Sequence, residues 1–234
     1  MDEIFSKSKL QTAIPILFGA IYISAFKNGE QTCDRYFANY FLYLLTSLTV
    51  YFYSSNELDF GISGSSLKSF LATILVIILL VSFYRFDNIY IRHLIWFTII
   101  IILGILAKKY HQMFDEKKIK SVLQKLIIVL IVCIGIAVIF PQILKPNIEI
   151  ALLFGLLITI ILRVMDRYLF DNKYTDPITY IVIFLISLFV MYDTKRVMEF
   201  SKKCVSGKTG YLENVLNMFL NIVTIFNNLL SISE

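Results

Sequence analysis

Charge in this chain is confined to short clusters, and long stretches between them carry none. A helix needs roughly 18 to 20 apolar residues to cross a hydrocarbon core about 30 Å thick. Runs approaching that length recur at residues 36–53, 67–84, 89–107, 122–143, 148–163, 177–192 and 211–231. Composition points the same way. Of 234 residues, 58% are hydrophobic and 17% charged, with a mean hydropathy of +0.74, well above ordinary soluble usage. The expected fold is all-α: a polytopic membrane protein with seven transmembrane helices and a lipid bilayer as its main partner. Short uncharged cores, such as 94–107 and 150–162, must be lengthened by snorkelling cations and interfacial Tyr.

Residues 10–26 form an eighth apolar stretch, short and interrupted by Pro15. It fits a surface helix, a buried arm or a further span, so residues 1–35 are read as an N-terminal segment with an apolar helix and 36–234 as the transmembrane domain. A cleaved signal peptide is not expected, because the first nine residues mix acids and bases and no small-residue cleavage site precedes Cys33. With seven spans, 12 of the 22 Lys and Arg lie on the face of the N-terminus. Of the other ten, six (Lys108, Lys109, Lys117, Lys118, Lys120 and Lys125) crowd around one loop. Placing the N-terminus in the cytoplasm therefore sets that loop against the positive-inside rule.

Three widely spaced cysteines, Cys33, Cys133 and Cys204, give no disulfide framework and are expected to be thiols. His93 and His111 lack a second ligand at helical spacing, so no metal site is expected on them. No nucleic-acid module, phosphate-cradling glycine loop or nucleophile elbow is present. The acids Glu149, Asp166 and Asp193 are isolated along the chain, and neither an enzyme nor a bound cofactor is expected.

The last run carries a polar stripe, Asn214, Asn217, Asn221, Thr224, Asn228 and Ser231, stepping by 3 and 4 residues along one helix face. Amides facing lipid would lack partners, so this helix is expected at the centre of the bundle with the stripe turned inward. Asp193 ends the preceding run. It is either a solvated acid or one facing the stripe, with Lys195, Arg196, Arg85 and Arg92 as candidate counter-ions.

The segment Tyr192-Asp193-Thr194-Lys195, followed by Tyr211-Leu212-Glu213-Asn214-Val215-Leu216-Asn217-Met218-Phe219-Leu220-Asn221-Ile222-Val223-Thr224-Ile225-Phe226, resembles the signature of the transmembrane Bax inhibitor motif family. The likeness is concentrated in these last two runs. It implies six helices around a central C-terminal helix, a leak of cations and particularly calcium as the transported ion, suppression of cell death, and residence in an endoplasmic-reticulum-like membrane in a eukaryotic host. It also implies a latch near the cytoplasmic mouth, where two aspartates from the last two helices share a proton. Adjacent carboxylates cannot both ionise cheaply, and proton loss drives the helices apart.

This chain keeps half of that latch. Asp193 matches the first aspartate, but Asn221 stands at the second position and Gly210 where an acid often opens the last helix. An amide has no proton to lose and can donate to Asp193 at any mild pH. The latch/pH-sensing pair is thus Asp193 and Asn221, and pH gating is expected to be weakened or lost. Asn214, Asn217, Thr224 and Asn228 are read as an ion pathway or as helix-packing groups. Glu57 and Asp59 are possible entry acids on the opposite side. The alternative is a non-conducting structural protein that binds membrane partners through amide-mediated helix packing.

Overall fold

A computed structural model describes residues 7–58, 61, 66–144, 148–205 and 210–232. Among them are eight α-helices: α1 Lys7–Ala25, α2 Tyr36–Glu57, α3 Ser66–Arg85, α4 Ile89–His111, α5 Glu116–Ile139, α6 Ile148–Leu169, α7 Thr175–Lys203 and α8 Tyr211–Ile232. Asn88 caps α4 by accepting from the backbone N–H of Tyr90 and Ile91, and Asp115 caps α5 through that of Lys118. The α6–α7 turn is held by Asp166, which accepts from the Tyr174 N–H and the Thr175 hydroxyl. This acid, in the last turn of α6, is therefore a structural group that holds the connection.

Six helices, α3 to α8, are long and apolar enough to cross a membrane. Their outward positions are apolar: α3 exposes Leu67, Phe70, Leu71, Ile77, Ile78 and Val81 and buries only Ala72, Val76 and Phe83. Apolar surface on this scale needs lipid to cover it. The chain is an integral membrane protein. In five of these helices 11% to 33% of the hydrophobic window is buried, against 50% in α8. No described residue of α8 is fully exposed, so the last helix is the most enclosed of the six.

Two expected segments stay open and two readings need correction. The expected first span, 36–53, is helical as α2 but is not among the six, because Asn, Ser, Thr and Tyr replace aliphatic residues along it. Residues 10–25 lie in α1, which also falls outside the six, and Phe26 begins the first strand. α7 does not stop at Tyr192 but continues to Lys203, so Asp193 lies well inside a helix; the cations after it are compatible with helix and mark only the membrane boundary. Finally, Cys33 and Cys204 are not thiols but a disulfide, with Cα atoms 5.8 Å apart across 171 residues of sequence. Wide spacing along a chain says nothing of spacing in a fold.

Chain contacts divide the molecule into two compact units, Met1–Phe114 with Lys203–Leu216, and Asp115–Lys202 with Asn217–Glu234. In the first, β1 Phe26–Lys27 and β2 Glu30–Gln31 form a hairpin. Its two-residue loop, Asn28-Gly29, has positive φ at both positions, as a type I′ turn requires. Beyond it, α2 and α4 approach closely at Gly104, where a Cβ would lie 2.6 Å from the Tyr51 carbonyl oxygen. Tyr211 is fully buried, its ring 4.7 Å from that of Tyr36, and its hydroxyl donates to the Thr32 carbonyl. Glu213 pairs with Arg92 at 2.7 Å. In the second unit, Gly155 of α6 faces Leu185 of α7, and Cys133 is a buried free thiol.

Candidate functional site: a polar cavity at Asp193

The second unit holds a cavity of about 240 Å³ lined by Glu149, Tyr192, Asp193, Arg196, Asn217 and Asn221, with Leu153, Leu156, Phe189 and Leu220 as its apolar wall. Three helices build it. α7 supplies Tyr192, Asp193 and Arg196, a spacing that puts the last two one turn apart on one face. From α8 come Asn217 and Asn221, again a turn apart, and from the first turn of α6 comes Glu149. Since a water occupies roughly 30 Å³ in the liquid, the space holds several.

Asp193 is 7% exposed. Its Oδ2 accepts from Asn221 Nδ2 at 2.7 Å, so the acid and amide singled out in the sequence do meet. Glu149 Oε2 accepts from the Tyr192 hydroxyl at 2.7 Å. Of the candidate counter-ions, Arg196 shares the cavity with Asp193. Lys195 turns away to the Leu144 carbonyl and to Glu199, and Arg92 pairs with Glu213. Glu149, read from the sequence as an isolated acid, was not assigned to the site. The available signal was its place at the start of one apolar run while Asp193 closes the next; helices joined by a short turn run antiparallel, which brings such ends together.

The rest of the stripe does different work. Asn214, 3% exposed, donates to the Tyr36 hydroxyl at 3.2 Å within the first unit. Thr224 returns its hydroxyl to the Leu220 carbonyl. Asn228 accepts from Arg163 and donates to the Thr224 carbonyl, while Arg163 also donates to Thr179. Ser231 bonds to the Asn228 carbonyl. Only the middle of the stripe, Asn217 and Asn221, lines the cavity. Glu57 lies at the end of α2, and Asp59 is outside the described residues.

A family model described as inhibitor of apoptosis-promoting Bax1 matches residues 34–233. The chain belongs to this Bax inhibitor-like family. No curated protein matches it. The match begins just after Cys33 and runs through α8, so it includes every residue of the cavity. In this Bax inhibitor-like chain the cavity presents two carboxylates, two amides and a phenol, oxygen groups of the kind that hard cations prefer, with one guanidinium among them. Among the described residues, no group of three or more His, Cys, Asp or Glu is placed to hold a metal ion.

Proposed function

We propose that the chain is a Bax inhibitor-like cation leak channel of seven transmembrane helices, passing calcium, whose pH gate is weakened by the asparagine at position 221. The observation that carries this reading is the cavity. Asn217 and Asn221 line a space large enough for water, although Asn221 also donates to Asp193 of the neighbouring helix, and room of this kind supports conduction over packing alone. Family membership supports the same reading. An Asn221 donor holds the Asp193 carboxylate without a shared proton, so closing does not wait on acidification.

The outer parts of the stripe favour a second role beside the first. Asn214 and Asn228 bond to Tyr36 and Arg163, and interhelical bonds of this kind contribute about 0.6 to 2 kcal/mol each. They hold α8 in place.

Calcium flux into dye-loaded liposomes containing the purified protein tests the proposal. The native chain should leak with little change between pH 6 and 8. Asn221→Asp should introduce a carboxylate pair and make the leak rise several-fold with pH across that range. Absence of flux from both proteins would reject conduction, and flux with an identical pH profile in both would reject the latch.

A further inference from the structure

We propose that Arg196 sets how tightly the cavity holds a divalent cation, weakening the grip of Asp193 and Glu149 so that an ion taken up can also leave. This role rests on the reading of the cavity as a cation site. Asp193 Oδ2 takes the Asn221 amide, and Glu149 Oε2 takes the Tyr192 hydroxyl. Among the described residues, neither Asp193 Oδ1 nor Glu149 Oε1 accepts a hydrogen bond. Each carboxylate therefore keeps one oxygen for a further partner, and carboxylate oxygens are the ligands that calcium takes.

Arg196 is the cation nearest in sequence that could fill that place, and it does not. It follows Asp193 by one turn of α7, is half-buried, and lines the same cavity. Yet among the described residues no carboxylate stands within ion-pair distance of it; the ion pairs there are Arg92 with Glu213 and Lys195 with Glu199. The Arg196 guanidinium lies instead over the Phe200 ring, 5.6 Å from its centroid, where the face of the ring attracts a cation. Phe200 is a further turn along α7, on the side away from Asp193. The charge is thus held in the wall of the cavity and off its acids.

A charge so placed acts through space without occupying the site. A guanidinium does not lose its proton in a protein, so its repulsion of a cation is constant across mild pH. Coulomb repulsion scales with the product of the charges, and a divalent ion feels it twice as strongly as a monovalent one. Two ionised carboxylates and one guanidinium leave the cavity a single negative charge, which a calcium ion overbalances. Without Arg196 the two acids would match that ion and hold it. Conduction requires binding weak enough for the ion to go on.

Equilibrium binding of radioactive calcium to the purified full chain, in detergent at low ionic strength, reads this without any need for conduction. Arg196→Gln should lower the half-saturating calcium concentration about ten-fold or more, the scale of removing one elementary charge several Å from a divalent ion at an effective dielectric near 20. Arg196→Lys, which restores the charge, should bring most of the native weakness back. Phe200→Leu removes the ring that draws the guanidinium off the acids and should shift binding in the opposite direction, to higher calcium. Adding Glu149→Gln to Arg196→Gln should abolish the gain in affinity, which locates the tightened ion on the acids of the cavity. Unchanged affinity in Arg196→Gln, equal tightening in Arg196→Lys, or a gain that survives Glu149→Gln would each overturn the proposal. In liposomes, the Arg196→Gln leak should reach half its maximum at a correspondingly lower calcium concentration. The expected shifts in binding with no flux from any variant would support the role of Arg196 while rejecting the leak, and flux with unshifted binding would do the reverse.

Discussion

Asp193 has one amide donor from the last helix and one cation a turn away, an arrangement that keeps a buried carboxylate satisfied. Asn221→Ala removes the donor and should cost about 1.5 to 3 kcal/mol, the range for hydrogen bonds to charged groups, read as a lower thermal midpoint in detergent. Asn217→Ala, one turn earlier, serves as the comparison for the loss of a cavity-lining amide alone. Glu149 is the second acid of the cavity. Glu149→Gln keeps the bond from Tyr192 but removes the charge, so it should reduce calcium flux at pH 8 and flatten whatever pH dependence the native leak retains. A leak indistinguishable from native at both pH 6 and pH 8 would take Glu149 out of the ion path. The stripe itself was legible in the sequence because spacing alone defines a helix face. Its division of labour was not, since Asn214, Asn221 and Asn228 are the same residue type and differ only in what their neighbours offer.

At the level of elements, the long apolar runs were readable because length and hydropathy are local properties, and α3 to α8 follow them closely. α2 was read as a span too, but its polar content keeps it out of the six, and most of those polar groups are buried. The hairpin ahead of it was overlooked, though Asn28-Gly29 is a strong local turn signal. Two-residue strands carry too little alternation to draw attention. Close contact between α2 and α4 depends on Gly104, as small residues let membrane helices approach. Gly104→Val would drive side-chain atoms into the α2 backbone near Tyr51 and Ser54. Overpacking of this kind costs typically 1 to 3 kcal/mol, so the variant should melt earlier in detergent, while Gly135→Val, where a Cβ meets nothing within 4 Å, should not.

Across the whole molecule, the disulfide is the one covalent link that sequence reasoning could not supply, because pairing depends on where the hairpin and the end of α7 lie in space. It closes 171 residues. For a soluble chain the entropy of closing a 100-residue loop would amount to about 4.7 kcal/mol. In a membrane protein much of that freedom is never gained on denaturation, since the helices remain inserted and only their association is lost. The expected contribution is therefore nearer the lower end of the usual 2 to 4 kcal/mol. Replacing both residues, Cys33→Ser with Cys204→Ser, should lower the thermal midpoint in detergent. Adding a reductant should bring the native protein down to the same midpoint and leave the double variant unchanged. A native midpoint indifferent to reductant would mean that the bond contributes nothing to the fold. A drop in the double variant without a matching effect of reductant would trace the loss to the substituted side chains instead.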